Sequence, residues 1–257
     1  MALYVHVPFC VSICPYCDFV VYAGSASRGP RSRVAAFVDA LETELRLRAD
    51  ALDARWGLSR PALQSLYLGG GTPSLLPPER VAALIAAVRA RYGLASDAEV
   101  TIEVNPGPDE RGDARALREA GVTRLSIGAQ SLDPGELRRL GRRHAPRDVA
   151  DSIRAARESG IESVSLDLLY DVPGQTPASW VRTLDAALAL EPDHLSLYAL
   201  TLDDPDLDGL AGAFGDHLPL RRGARQWRQA ARGEQDDDRA ARMYELADER
   251  LRAAGLG

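Results

Sequence analysis

The chain has 257 residues, 46% of them hydrophobic and 26% charged, which is enough to bury one large core or two smaller ones. The net charge is −6 and all 31 basic residues are arginines, which argues against a nucleic-acid groove, a P-loop lysine or a Schiff-base lysine. No apolar run reaches the roughly 20 residues that span a bilayer, and the first residues lack the pattern of a secretory signal. We therefore expect a cytoplasmic protein, with peripheral attachment to the membrane as the alternative.

Hydrophobic periodicity predicts strands that alternate with helices. In chain order, the predicted elements are a strand at 3–8, a helix at 33–49, a strand at 63–71, a helix at 78–93, a strand at 99–106, a helix at 111–121, a strand at 122–130, helices at 134–141 and 146–159, a strand within 161–174, a helix at 177–190 and a strand at 193–202. About six strands with crossover helices are typical of an α/β protein with a parallel sheet, either a barrel or an open sheet.

The sequence changes character after the last of these strands. From Pro205 to about Gln235 it combines glycines and mixed charge without a clear period, which predicts a loop or linker. A helical pattern resumes over 236–255, with acidic residues at its start and Gly255 as a stop.

Polar residues and glycines follow the predicted strands. They are the cysteines after the first strand, the GGGTP segment (69–73) after the second, Glu103 and Asn105 at the end of the third, Gln130 after the fourth and Asp167 late in the fifth. Active sites of parallel α/β proteins lie at the carboxyl ends of the strands. We therefore expect these groups to meet on one face of the sheet.

All three cysteines of the chain lie close together, with the spacing C-x3-C-x2-C at Cys10, Cys14 and Cys17. In a reducing compartment, clustered thiols indicate a metal or redox centre more than disulfides. A [4Fe–4S] cluster on three cysteines keeps one iron open to an exogenous ligand. The alternatives are unliganded thiols, or zinc completed by a remote histidine such as His144, since structural zinc takes four ligands.

The GGGTP segment allows the backbone to approach a ligand closely, because glycine has no Cβ, although a tight strand-to-helix turn explains it equally well. Under the ligand interpretation, a bulky residue at Gly71 weakens ligand binding and leaves a metal centre intact. Four residues near the strand ends offer charge or hydrogen bonds to hydroxyl, amino or carboxylate groups: Glu103, Gln130, Arg142 and Asp167.

These residues stand in longer strings that resemble one family. The three-cysteine motif, with an aromatic residue before the last cysteine, is similar to the radical S-adenosylmethionine (SAM) signature. Further strings resemble the branch that contains oxygen-independent coproporphyrinogen III dehydrogenase and heme chaperones: YVHVPFCVSICPYCDF, LGGGTPSLL, TIEVNPG, GVTRLSIGAQSLDPGELRRLGRRH, SLDLLYDVPGQT and HLSLYALT. The resemblance covers about residues 1–205.

This resemblance implies a (β/α)6 partial TIM barrel of radical SAM type, with the cluster loop after the first strand. It also implies a [4Fe–4S] cluster on Cys10, Cys14 and Cys17, SAM on the open iron, and one-electron cleavage of SAM to a 5′-deoxyadenosyl radical. The positions that match SAM contacts of the family are Tyr4, Tyr16, Gly70, Gly71, Thr72, Glu103, Gln130, Arg142 and Asp167. In the dehydrogenase some of these serve a second SAM.

Within this branch, Phe19 favours the heme chaperones, because the dehydrogenase has a further cysteine at that position. The resemblance then implies heme as ligand, respiratory heme proteins as acceptors and a reductase or flavodoxin-type electron donor. A coproporphyrinogen-type oxidative decarboxylase and a zinc-stapled binding protein remain the alternatives.

The heme chaperones continue with a further domain that carries an HNxxYW-like heme motif, and this string is absent from the chain. We therefore expect a radical SAM core over 1–205 and, over 206–257, a linker and the irregular helical start of a C-terminal domain that is largely missing. A core that normally packs against another domain exposes apolar surface, which makes a homodimer a candidate assembly.

Overall fold

The computed structural model describes residues 1–29, 31–57, 60–202 and 222–256. Its strands are β1 (Ala2–Val7), β2 (Phe9–Cys10), β3 (Tyr22–Ala23), β4 (Leu63–Gly70), β5 (Leu94–Val104), β6 (Arg124–Gln130), β7 (Ser163–Tyr170) and β8 (His194–Ala199). Its α-helices are α1 (Val34–Trp56), α2 (Pro78–Tyr92), α3 (Ala114–Glu119), α4 (Pro134–Arg139), α5 (Pro146–Glu158), α6 (Pro177–Leu188), α7 (Arg222–Arg232) and α8 (Asp237–Ala253).

Six of the strands form one parallel sheet in the order β1-β4-β5-β6-β7-β8. Their order in the sheet follows their order in the chain, as in an open (β/α)6 barrel, and this confirms the predicted fold class. The short strands β2 and β3 pair with each other and enclose the loop 11–21, which carries two of the cysteines. The carboxyl ends of all six sheet strands therefore lie on the side of this loop.

The central strands β6 and β7 are buried along most of their length, as is typical of strands covered on both faces, whereas the edge strands β1 and β8 keep exposed residues. Leu68, Ile102, Leu166 and Leu168 of the central strands are fully buried and belong to one apolar core. Helices begin where the sequence predicts: prolines open α2, α4, α5 and α6, and the Asp133 side chain accepts hydrogen bonds from the first turn of α4.

The C-terminal helix α8 packs against α6 and joins the same core. Met243 and Ala247 of α8 are buried in it, and the indole Nε1 of Trp180 donates a hydrogen bond to the Met243 carbonyl at 2.9 Å. The division of the chain at residue 205 stays a prediction, but α8 and the barrel share apolar surface.

Two local expectations are corrected. The region 205–235, predicted to be irregular, contains the helix α7, while 203–221 lies outside the described residues. The sequence of α7 is largely polar, but Trp227 and Ala231 of this helix pack against apolar residues of the barrel. The strand β5 also begins at Leu94, five residues before the predicted start at 99, since it extends to pair with Leu63 of β4.

Candidate functional site

A cavity of about 360 Å³ lies at the carboxyl ends of the sheet strands. Its lining combines the cysteine loop with residues from strands β4 to β8 and from the segments that follow strands and α4. The lining residues are Cys10, Ser12, Ile13, Cys14, Tyr16, Cys17, Asp18, Phe19, Tyr67, Gly70, Gly71, Glu103, Val104, Asn105, Gly128, Gln130, Arg142, Asp167, Leu169, Tyr198, Ala199, Leu200 and Thr201. The polar groups that follow separate strands in the sequence therefore meet on one face, as expected.

The three cysteines line one side of this cavity, and each is partly buried. Cys10 ends β2, while Cys14 and Cys17 lie in the loop, where the Cys17 amide donates to the Cys14 carbonyl at 3.2 Å. Burial raises the pKa of the Cys10 thiol to about 11, and burial also raises the pKa of the Cys17 thiol. Without a bound metal centre these two thiols are therefore protonated at neutral pH.

A chain of hydrogen bonds joins two of the cysteines along the cavity wall. The Thr72 hydroxyl contacts the Cys10 sulfur at 3.6 Å and accepts a hydrogen bond from Nδ2 of Asn105 at 2.9 Å. Oδ1 of Asn105 accepts from Nη2 of Arg142 at 2.5 Å, and Nη1 of Arg142 contacts the Cys14 sulfur at 3.6 Å. Asn105 thus links the donor that faces Cys10 to the donor that faces Cys14.

Arg142 is the buried cation of the site. Its Nη2 also donates to the Gly128 carbonyl at 2.7 Å, and its Nε is buried without a hydrogen-bond partner in the described part of the chain. Burial alone would lower the pKa of Arg142, but the neighbouring Tyr16 and Cys14 raise it, so the guanidinium is charged. A buried cation with an unused N–H donor favours a nearby anionic hydrogen-bond acceptor such as a carboxylate.

Two carboxylates face the same cavity from β5 and β7, with β6 between them. Glu103 of β5 accepts from the Tyr67 hydroxyl at 2.9 Å and from the Gly70 amide at 2.8 Å, and burial raises its pKa. Asp167 of β7 accepts from the Ser126 hydroxyl at 3.0 Å. Burial raises the pKa of Asp167 to about 6, and the charge of Glu103 adds to the shift.

The glycines of GGGTP have a packing role as well as a place in the cavity wall. A Cβ on Gly71 would lie 2.7 Å from the Phe9 carbonyl oxygen and 2.8 Å from its nitrogen. Gly70 has φ of +111°, and a Cβ there would meet the ring of His6. The chain can therefore turn tightly after β4 against the backbone that leads into Cys10, which agrees with the explanation of the glycines as a strand-to-helix turn. Gly70 and Gly71 also line the cavity.

Gln130 ends β6 with φ of +64°, a left-handed conformation that is rare outside glycine, and it lines the cavity. Non-glycine residues in this region cost free energy and concentrate at functional sites. The observation supports the placement of Gln130 in the site.

Two predicted site residues lie outside the cavity lining. The Tyr4 side chain is 54% exposed, and its hydroxyl pairs with Nδ1 of His6 at 3.1 Å. Thr72 is buried behind Cys10 and reaches the site through that sulfur. The other predicted residues line the cavity: Cys10, Cys14, Cys17, Tyr16, Gly70, Gly71, Glu103, Gln130, Arg142 and Asp167.

Sequence reasoning missed the partners that hold these groups. Tyr67 and Ser126 donate hydrogen bonds to the two carboxylates from within strands, and no sequence pattern distinguishes them from other strand residues. Asn105 had been noticed at a strand end, and its two side-chain hydrogen bonds give it a function in the site.

His144, the remote histidine of the zinc alternative, has a backbone hydrogen-bond partner. His144 directs Nε2 to the Ala129 carbonyl at 3.1 Å, and burial lowers its pKa to about 4. Across residues 1–29, 31–57, 60–202 and 222–256, no three His, Cys, Asp or Glu side chains gather closely enough to hold one metal ion.

Over the same ranges, no helix combines the length and apolar character that crossing a bilayer requires.

Known proteins resemble the chain over nearly its whole length. It is 40% identical to the heme chaperone HemW of Mycobacterium tuberculosis and 34% identical to HemW of Escherichia coli, over 99% of this chain in both cases. The solved structure of E. coli coproporphyrinogen III oxidase (HemN), a radical SAM enzyme, superimposes with a TM-score of 0.76 at 26% identity and covers 99% of this chain and 52% of that one.

The chain spans 59% and 60% of the lengths of the two HemW relatives. Residues 4–187 match the family described as the Radical SAM superfamily, and this range contains every cysteine and most of the cavity lining. Membership implies a [4Fe–4S] cluster and SAM as cofactors. The sequence motif, the parallel sheet and the family match agree: the chain belongs to the radical SAM superfamily.

Proposed function

We propose that the chain is the SAM-binding portion of a heme chaperone, with an iron–sulfur cluster on its three cysteines and SAM in the adjacent cavity. The observation that carries the proposal is the convergence of the three thiols and Arg142 on one cavity. The names of the HemW relatives support the heme-chaperone part. Heme, a respiratory heme-protein acceptor and a reductase or flavodoxin-type electron donor are the proposed partners.

The donor set fits a [4Fe–4S] cluster. Cys10, Cys14 and Cys17 present three soft sulfur ligands from one short loop. Thr72 and Arg142 each direct a donor toward a cysteine sulfur at 3.6 Å, and such hydrogen bonds stabilise thiolate ligands. A bound cluster with one open iron would supply the electron for reductive cleavage of SAM.

The remaining side chains fit a zwitterionic nucleoside such as SAM. The cavity volume falls within the range of small-molecule sites. Arg142 supplies positive charge for a carboxylate, and Glu103 and Asp167 supply acceptors for hydroxyl or amino groups. Thr72 acts through Cys10, and Tyr4 would reach SAM only after a change of its side-chain position.

The test is anaerobic reconstitution with iron and sulfide, followed by EPR of the reduced protein with and without SAM. We expect about four irons and a [4Fe–4S]⁺ signal whose shape changes when SAM is added. Cys14→Ala should lose the signal, because two thiolates do not hold the cluster, whereas Val11→Ala in the same loop should keep it. Stoichiometric zinc without iron, or a signal indifferent to SAM, would overturn the proposal.

Heme binding is tested separately by titrating the protein with hemin and following visible absorption. A saturable spectrum at one heme per chain is the expected result, and no spectral change would remove heme from the function of this chain.

The similarity to the HemN structure supports a second candidate, an oxidative decarboxylase of coproporphyrinogen III. Phe19 is 65% exposed at the cavity rim, where the sequence comparison expects a cysteine in that enzyme. Incubation with coproporphyrinogen III, SAM and a reductant without oxygen decides between the two. Formation of protoporphyrinogen IX would favour the decarboxylase, and no product is expected from the chaperone.

A further inference from the structure

The loop 11–21 carries Cys14 and Cys17 but contains neither helix nor strand. Backbone carbonyls in such a loop have no ladder partner and depend on turns, side chains or water for donors. The positions of these two sulfurs therefore depend on whatever holds the loop backbone in place.

Arg228 of α7 supplies donors to this backbone. Its Nε donates to the Pro15 carbonyl at 3.1 Å, and its Nη2 donates to the Cys17 carbonyl at 3.0 Å and to Oδ1 of Asp18 at 2.5 Å. Only 4% of the Arg228 side chain is exposed. A planar guanidinium fixes several acceptors at once, which a flexible ammonium does not do.

Independent contacts anchor α7 next to the loop. Nε1 of Trp227 donates to the Arg139 carbonyl at 2.9 Å, and its ring lies 6.4 Å from the ring of Tyr16. Ala231 is buried in an apolar cluster with Leu140 and neighbouring residues. Loss of the Arg228 side chain therefore leaves these anchors of the helix in place.

We propose that Arg228 is a positioning residue for the proposed cluster, because it holds the loop that carries Cys14 and Cys17. Arg228 itself lies on α7, outside the range 4–187 that matches the family. The proposal rests on the proposed function only for the identity of the bound centre. The loop contacts themselves belong to the metal-free protein and are tested there.

The first experiment measures alkylation of each cysteine by N-ethylmaleimide in the metal-free protein, with peptide mass spectrometry. In Arg228→Gln we expect Cys14 and Cys17 to react about tenfold faster, because two or more charge-assisted hydrogen bonds no longer oppose local opening. Cys10, held in β2 beside Thr72, should keep its wild-type rate, and so should all cysteines in the control Gln229→Ala, whose side chain is exposed on the same helix.

The charge effect on the thiol acts in the opposite direction. Arg228 counteracts part of the burial effect on the pKa of Cys17, so its removal alone makes the thiolate rarer and slows the alkylation. Faster alkylation therefore reports loop opening. Unchanged rates, or equal acceleration of all three cysteines, would overturn the proposal.

The second experiment uses reconstituted protein and measures the midpoint potential of the cluster. Arg228→Gln should shift the potential to more negative values, because a nearby positive charge favours the reduced, more negative cluster. Arg228→Lys keeps the charge without the forked hydrogen bonds, so it should restore the potential but not the slow alkylation. A potential identical in wild type and Arg228→Gln would contradict the positioning of the bound centre, and absence of any cluster would instead contradict the proposed function.

Discussion

Asp167 shows how burial changes the behaviour of a single residue in this site. Its carboxyl lies between Ser126 and the cavity, and its folded-state pKa is about 6, against an ordinary value of 3.8. Between these two values the folded protein keeps a proton that the unfolded chain releases. The contribution of Asp167 to the free energy of unfolding therefore falls as pH rises from about 4 to 6.

We predict that Asp167→Asn removes this pH dependence. The free energy of unfolding of the variant, minus that of wild type, should be larger at pH 7 than at pH 4 by on the order of 2–3 kcal/mol. The measurement is urea denaturation of the metal-free protein at both pH values. Asp39→Asn, an exposed carboxyl on α1, serves as the control and should show no such gain. A wild-type-to-variant difference that is constant with pH would refute the assignment.

Gly71 illustrates a residue whose role depends on its neighbour in space. The sequence interpretation expected a larger residue there to weaken ligand binding and to spare the metal centre. The structure instead places the missing Cβ against the backbone of Phe9, directly before Cys10. A side chain at this position displaces the start of the cysteine loop.

We accordingly predict that Gly71→Ala destabilises the metal-free protein by about 1–3 kcal/mol and also lowers the iron content after reconstitution. Thermal denaturation and iron analysis check the two effects. Gly107→Ala is the matched control, since its Cβ would find only ordinary contacts at 3.7 Å or more. Full iron in Gly71→Ala would restore the earlier interpretation.

At the scale of elements, the last helix contributes buried residues to the core of the barrel. α8 buries Met243 and Ala247 against α6, while the next residue, Tyr244, has a side chain that is 64% exposed. Arg239 at its start pairs with Asp171 after β7, which adds a polar contact to the apolar one.

Met243→Ala should lower the free energy of unfolding by about 2–4 kcal/mol, because it removes buried apolar surface and leaves a cavity. Tyr244→Ala should change it by less than about 0.5 kcal/mol, since that side chain faces solvent. Urea denaturation of both variants measures the contrast. Equal effects of the two substitutions would show that α8 does not pack on α6 as described.

The whole molecule combines residues from β1 to α8 in one apolar core. Trp180 reports on this core, because it is fully buried under α8, whereas 65% of Trp56 is exposed. A shared core predicts that the barrel and α8 unfold together, although the sequence expectation placed a domain boundary between them.

We therefore predict a single urea transition. In a protein with Trp56→Phe and Trp227→Phe, the fluorescence of Trp180 should follow the same curve as the far-UV circular dichroism. Two separated transitions would show that the segment after residue 205 folds as its own unit, as the sequence division implies.

Most of the fold was predictable from the sequence because its signals are local. Apolar runs of strand length, prolines at helix starts and glycines at helix ends locate most barrel elements within a few residues, although α1 continues seven residues beyond its predicted end at 49. α7 was not predictable in this way, since its stability comes from contacts of Trp227 and Arg228 with distant residues. Propensity and periodicity do not record such contacts.

By itself the sequence determined the parallel α/β class and the three-cysteine loop, because both depend on residue type and spacing. The polar groups at predicted strand ends also indicated which face of the sheet carries the site. The tertiary structure decided which groups hold one another: Asn105 between Thr72 and Arg142, Gly71 against Phe9, and Arg228 on the cysteine loop. Those relations join residues that are from 33 to more than 200 positions apart in the chain. Only the folded backbone brings them within hydrogen-bond distance.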